Sequence, residues 1–199
     1  MGEEEFLGLA AARYQSVLHG LSTRGMLDDD PALSSRILRL LPALMQGAAA
    51  IKPQSASWAW EFHVTGDAAQ NAFCMAGGKV LVGSAFVRQL ALDDGELAML
   101  LGHEIAHALA GHRREAAPSS FEGDLSQRIR QSEIAFAQES EADEIGMGLA
   151  HRAGWPSASL VSFYEKLAAA EGAGAFNSTH PAAAQRLAMA RTIAARLGR

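Results

Sequence analysis

Hydrophobic and polar positions change period along the chain, and each change marks an element. Over residues 3–20 the apolar residues recur at helical spacing. After "DDDP" a second helix is expected, with Leu33, Ile37, Leu38, Leu40, Leu41 and Leu44 as its apolar residues. Pro31 opens that helix at a position where the missing N–H has no partner to lose. Pro42, inside it, is expected to kink or divide it. At "WAWEFHV" the period drops to two: Trp58, Trp60, Phe62 and Val64 alternate with Ala59, Glu61 and His63, as in a half-buried strand. "NAFCM" (71–75) and "KVLVG" (79–83) read as two further strands joined by a tight turn at Gly77 and Gly78.

The helical period returns at Ser84, with a short helix expected over 84–92. The next helix takes Asp93 or Asp94 as its N-cap and Glu96 in its first turn. Its apolar residues Leu97, Leu100, Leu101, Ile105 and Leu109 cover much of the circumference, so it should be buried on most sides. A polar loop over 113–127 follows, then a helix from about 128 to 153 that stops at "GWP". A helix over 157–171, a glycine-rich loop over 171–181 and a last helix from Pro181 to near Leu197 complete the chain. No repeat or low-complexity tract interrupts it. The expectation is one α+β domain over 1–199, mostly helical, with N-terminal helices over 1–50 and a core over 58–190 that sets a small sheet beside the buried helix.

That helix carries "LLGHEIAHALAGH". Each helical residue advances about 100°, so His103 and His107 stand one above the other and can share one metal ion. Glu104 flanks them without taking a ligand position, as a general base acting on a water at the metal should. Polar groups buried in so apolar a helix would each cost about 1–3 kcal/mol without partners. A catalytic zinc wants a third protein ligand and one open position. His112 is wrongly spaced for it and reads as a helix-terminal residue favoured by the dipole. In "AQESEADEIG" Glu139 and Asp143 share a helix face while Glu141 points elsewhere. An acidic cluster is ordinarily a solvated face, but beside an unfilled ligand position Glu139 becomes the third ligand. Asp143, one turn on, would accept the N–H of a ligand histidine and fix its tautomer.

Composition narrows the classes. The 199 residues are 49% hydrophobic and 20% charged with a net charge of −5, and no basic block suggests a nucleic-acid partner. One cysteine, Cys74, excludes an internal disulfide framework and a cysteine-rich zinc site. No apolar run reaches the roughly 18–20 residues of a membrane helix. The N-terminus lacks the pattern of a signal peptide. The chain therefore fits a cytoplasmic protein or one cut after a removed signal or N-terminal anchor.

"NAFCMAGGKVLVGSAFV", "LLGHEIAHALAGH", "ESEADEIG" and "STHPAAAQR" occur in this order. Together they resemble metallopeptidase family 48 of the gluzincins, which holds the CAAX prenyl proteases, HtpX-like heat-shock proteases and the Oma-type and BepA-type quality-control proteases. The resemblance covers about residues 58–190 and implies a zincin-like fold with one zinc per chain. It implies His103, His107 and Glu139 as ligands, Glu104 as the base, and Asp143 as a supporting carboxylate. The family's H-P segment falls on His180 and Pro181, with its arginine at Arg186. His180 is thereby expected at the cleft, as an oxyanion donor or as an inhibitory fourth ligand, with Arg186 holding the loop through a carboxylate or carbonyl. The segment Asn71, Ala72, Phe73, Cys74 and Met75 resembles the family's substrate-binding edge strand; because an open strand edge is an aggregation liability, a loop at 113–128 or 171–180 is expected to cover it when no substrate is bound. Membrane helices and a TPR domain are missing, which is closest to small soluble or lipid-anchored bacterial members in the periplasm or at the envelope. The implied function is a zinc endopeptidase acting on misfolded or unassembled polypeptides. The rival is a non-catalytic, zinc-braced binding or chaperone-like module, favoured if a fourth protein ligand closes the metal.

Overall fold

A computed structural model of the protein describes residues 2–112, 125–173, 180 and 183–198. Its helices are α1 (Glu3–Thr23), α2 (Pro31–Ile51), α3 (Ser84–Gln89), α4 (Asp94–Ala110), α5 (Leu125–Arg152), α6 (Ser157–Gly172) and α7 (Ala183–Leu197). The strands are β1 (Glu61–Thr65), β2 (Ala72–Met75) and β3 (Lys79–Gly83). The expected α+β class is what the chain adopts: mostly helical, with one small mixed sheet.

Pro42 does not divide α2, which runs unbroken from Pro31, with the Asp30 side chain accepting from the Leu33 amide at 2.9 Å. The proline's missing N–H frees the carbonyl of Leu38, and both residues face solvent, Leu38 at 62% exposure, where water can satisfy it. The first strand is also shorter than the alternation suggested. Pro53–Ser57 form a 3-10 turn, and paired strand geometry begins only at Glu61. The aromatic residues still share one face: the Trp60 and Phe62 rings stack at 5.7 Å and Trp58 leans on Trp60 at 5.5 Å.

The sheet order is β1-β3-β2, with β1 parallel and β2 antiparallel to β3. Gly77 and Gly78 turn the hairpin with φ of 77° and 78°, and a Cβ on Gly78 would lie 2.4 Å from a carbon of the Trp60 ring. Alternation splits the strands between two cores. Val64, Ala72, Cys74, Val80 and Val82 join the main core with α2 and α4. Leu81 joins Tyr14, Leu18 and Leu21 of α1, with Phe73 and Met75 packed against them. The Tyr14 hydroxyl donates to the Val80 carbonyl at 2.5 Å, so α1 is bonded to the central strand.

Beyond the sheet, α3 ends at Gln89 rather than 92, because Ala91 turns the chain with φ 47°. Asp93 and Glu96 close a capping box at the start of α4, each side chain accepting from the other's amide at 2.8 Å. Gly95 to Leu109 are all buried, as the all-round apolar pattern required. Full burial of a leucine or isoleucine contributes about 1.5–3 kcal/mol, and Leu97, Leu101 and Ile105 are each 0% exposed. The next helix, α5, begins at Leu125, slightly earlier than expected. It packs extensively on α4 and crosses it at two glycines: a Cβ on Gly146 would sit 2.7 Å from the His103 nitrogen, and one on Gly102 would sit 2.8 Å from the Gly146 carbonyl oxygen. Pro181, the expected first residue of the last helix, and most of both expected loops lie outside the described residues. No helix among the described residues is long and apolar enough to cross a membrane.

Candidate metal centre

The glycine crossing brings two helix faces together. On α4, His103 and His107 stand one turn apart; opposite them on α5, so do Glu139 and Asp143. His103 Nε2 lies 3.0 Å from His107 Nε2 and 3.4 Å from Glu139 Oε2, and His107 Nε2 lies 3.5 Å from Glu139 Oε1. Donors about 2.0–2.1 Å from a tetrahedral zinc stand about 3.3 Å apart, and the two ring nitrogens, each with one oxygen of the Glu139 carboxylate beside it, are near that spacing. The two imidazoles and the carboxylate are also the donor types zinc accepts. His180 joins them, its Nδ1 3.3 Å from His103 Nε2 and 2.7 Å from Glu139 Oε2. The four residues together could hold a metal ion.

Around this cluster the carboxylates are held by a guanidinium. Arg186, 1% exposed on α7, donates from Nε to Asp143 Oδ2 at 2.8 Å and from Nη2 to Asp143 Oδ1 at 2.6 Å. Its Nη1 lies 3.1 Å from Glu139 Oε2. Such a planar fork suits two carboxylates at once. Asp143 Oδ1 also lies 2.9 Å from His103 Nδ1 and accepts from the Tyr164 hydroxyl at 2.6 Å. Burial alone would raise the Asp143 carboxyl; the bonds from Arg186 and His103 outweigh it and hold the group at about 2. Glu139 is likewise pushed up by burial, but its contacts with His103 and His180 win and hold it well below the usual carboxylate range. Glu104 is 1% exposed, with Oε1 3.3 Å from His180 Nε2.

A cleft opens beside the cluster, lined by Asn71 and Ala72 next to Glu104 and His180, with Phe86, Leu100 and Phe163 among its apolar walls. Asn71 and Ala72 begin the segment expected to receive substrate. The segment's strand, β2, pairs with β3 along one edge and has no strand on its other edge among the described residues. Phe73 and Met75 turn away from the main core toward α1, and Cys74 is buried in that core.

The structure therefore brings together His103, Glu104, His107, Glu139, Asp143, His180 and Arg186, seven residues picked out in the sequence. Glu141 stays out of the ligand cluster, as its helical angle required. His112 needs correction, because it is more than a helix-terminal residue answering the dipole. Gly111, with φ 72°, ends α4 in the left-handed conformation, and the His112 amide donates back to the His107 carbonyl at 3.0 Å. This six-to-one turn stacks the residue after the glycine over the helix's last turn. It sets His112 Nδ1 2.9 Å from His107 Nδ1, while His112 Nε2 lies 3.1 Å from Glu141 Oε2. The glycine directly before the histidine was the signal that could have found it. Tyr164 had no signal, being one tyrosine within an apolar helical pattern. Arg186 holds Asp143 and Glu139, whereas the loop it was expected to hold lies mostly outside the described residues.

Comparison with known proteins gives a consistent result. The pattern of "Peptidase family M48" matches residues 31–123 and 123–194. The chain is 34% identical to the mitochondrial metalloendopeptidase OMA1 of Schizosaccharomyces pombe, over 64% of this chain and 44% of that protein. It is 30% identical to the metalloprotease LoiP of Escherichia coli, over 58% of this chain and 55% of that protein. Identity to the beta-barrel assembly-enhancing protease of Escherichia coli is 28%, over 71% of this chain and 34% of that protein. The chain thus spans about half or less of the length of these relatives.

Proposed function

The chain belongs to peptidase family M48, and on that premise we propose that it is a zinc-dependent endopeptidase acting on misfolded or unassembled polypeptides. The observation that carries the reading is the meeting of three ligand side chains: His103 Nε2 and His107 Nε2 lie 3.0 Å apart, and the Glu139 carboxylate sets Oε2 3.4 Å from the first and Oε1 3.5 Å from the second. These three residues would hold one zinc ion per chain. When bound, zinc supplies a Lewis acid that polarises a peptide carbonyl and brings the pKa of a water toward about 7.

The chain's own groups do the remaining work. Glu104, on the same helix face, accepts the proton of the attacking water and returns it to the leaving amine. Asp143 accepts from His103 Nδ1 and so keeps the lone pair of Nε2 toward the cluster. Arg186 locks the carboxylates of Asp143 and Glu139. An extended peptide adds antiparallel to β2 at Asn71–Met75 through main-chain hydrogen bonds, a mode nearly blind to sequence and therefore suited to unfolded clients. His180 sits between Glu104 and Glu139. With substrate present it turns to donate to the developing oxyanion, worth about 10²-fold or more in rate. The names of the relatives, one mitochondrial and one tied to beta-barrel assembly, support a membrane-associated setting such as the periplasm or envelope.

One observation favours a second reading. His180 Nδ1 already lies among the ligand atoms, so it can close the metal as a fourth ligand, in which case the domain is a zinc-braced binding module or a protease held quiet by a latch. The test is metal analysis together with cleavage of casein, with and without chelator. The peptidase reading expects zinc at one per chain, cleavage that chelator abolishes, and a Glu104→Gln variant that keeps zinc and fold but loses nearly all turnover. Cleavage by Glu104→Gln at the wild-type rate would leave that residue without a catalytic role, and zinc without any cleavage would favour the binding module.

A further inference from the structure

We infer that His112 and Glu141 form an outer hydrogen-bonded arm that positions His107, as Asp143 and Arg186 do for His103. The inference rests on the proposed reading in one respect, that His107 binds the ion through Nε2.

The two ends of the arm determine every proton in it. His107 Nε2 faces the other donor atoms, 3.0 Å from His103 Nε2 and 3.5 Å from Glu139 Oε1. A ligand nitrogen must offer a lone pair, so the ring proton of neutral His107 belongs on Nδ1. That nitrogen lies 2.9 Å from His112 Nδ1. Two ring nitrogens at this distance bond only if one carries a proton and the other does not. His112 Nδ1 is therefore the acceptor, and its own proton sits on Nε2. There it meets Glu141 Oε2 at 3.1 Å, a group that can only accept when ionised. Cation at one end and carboxylate at the other thus select a single arrangement: His107 Nδ1–H to His112 Nδ1, then His112 Nε2–H to Glu141.

Burial follows the same direction. The His107 side chain is 4% exposed, that of His112 is 7% and that of Glu141 is 59%, so the arm runs from the ligand cluster out to water. The backbone turn at Gly111 builds it. In the six-to-one turn the residue after the glycine packs on the residue three before the cap, and here those two residues are His112 and His107. His103 is held by a buried carboxylate, while His107 is held through a second imidazole by an exposed one. His112 and Glu141 are positioning residues; neither touches the reacting atoms.

The test uses the full chain and zinc alone, measured by competition with a chromophoric chelator. His112→Phe keeps a ring and removes the acceptor; zinc affinity should fall by roughly 10–100-fold, the usual effect of losing an outer partner of a ligand histidine. His112→Asn restores an acceptor, since Oδ1 occupies the position of Nδ1, and should bind zinc within about threefold of wild type. Glu141→Lys, at an exposed position that cannot disturb packing, replaces the acceptor with a donor and should weaken zinc by about threefold, while Glu141→Gln matches wild type. Thermal unfolding of the metal-free variants separates these effects from lost stability. Nitrogen-15 spectra of the zinc-loaded protein should show His112 with its proton on Nε2. Equal affinity of His112→Phe and wild type, equal loss in the Asn and Phe variants, or a His112 proton on Nδ1 would overturn the arm. A wild-type chain that binds no zinc would instead overturn the metal reading itself.

Discussion

Replacing Gly146 with alanine tests how the two ligand-bearing helices are held together, and its sign is informative. In an ordinary helix interior, glycine to alanine stabilises by about 0.8–1.0 kcal/mol, because glycine gives up more backbone freedom on folding. At Gly146 the three atoms nearest the new Cβ are all backbone of α4: the His103 nitrogen at 2.7 Å, the His103 Cα at 2.8 Å and the Gly102 carbonyl carbon at 2.9 Å. None of these atoms can rotate away. Relief requires the helices to separate by several tenths of an ångström, and overpacking of this kind costs about 1–3 kcal/mol. The net expectation is a loss of up to about 2 kcal/mol. Gly148, two residues on in α5, has nothing within 4 Å of a built Cβ, so Gly148→Ala should gain about 0.5–1 kcal/mol. Urea unfolding of the two variants, both metal-free, reads the difference directly. Separation would also lengthen the 2.9 Å contact of His103 Nδ1 with Asp143 and the 3.4 Å edge to Glu139, so zinc affinity should fall in Gly146→Ala alone. If Gly146→Ala proved as stable as Gly148→Ala, the close crossing would not be what sets the spacing of the site.

Two further changes address the ligand set. Glu139→Gln should weaken zinc at least about tenfold by chelator competition, while Glu141→Gln keeps it; the reverse order would make Glu141 the ligand. For His180→Ala, loss of casein cleavage with zinc retained marks the oxyanion donor, and a gain in cleavage marks the latch. Unchanged cleavage would remove His180 from both roles.

Much of the site was legible because helical periodicity is a local rule. His103 and His107 had to share a face, Glu139 and Asp143 had to share another, and Glu141 had to miss the second; each follows from about 100° per residue. The buried character of α4 followed from its apolar circumference in the same way. What stayed hidden depends on contacts between elements. Tyr164 reaches Asp143 only because α6 packs beside α5, and nothing in its neighbours announces a hydroxyl partner. The closeness of α4 and α5 turns on Gly102 and Gly146, which in sequence are two of nineteen glycines. The strand at 58–64 shortened because Pro53 nucleates a 3-10 turn, so ring stacking rather than strand pairing carries the alternation through Trp58 and Trp60. Pro42 failed to divide its helix because the freed carbonyl faces water, a fact of burial that spacing does not contain.

The division of the sheet between two cores has a consequence for how the N-terminal helix matters. β3 is buried on both faces, and Phe73, Met75 and Leu81 meet α1 while their neighbours Cys74, Val80 and Val82 meet the helices that carry the histidines. The sheet is one residue thick between these two bodies, so it acts as a shared wall: pressure on one side is felt on the other. The hydroxyl of Tyr14 clamps that wall at Val80, two rungs from the hairpin end of the cleft strand. Anything that lifts α1, whether a truncation, a detergent or a surface that prefers its apolar stripe, would both bare an oily sheet face and slacken the strand at the mouth of the cleft. The helix farthest in sequence from the histidines is thereby a handle on them.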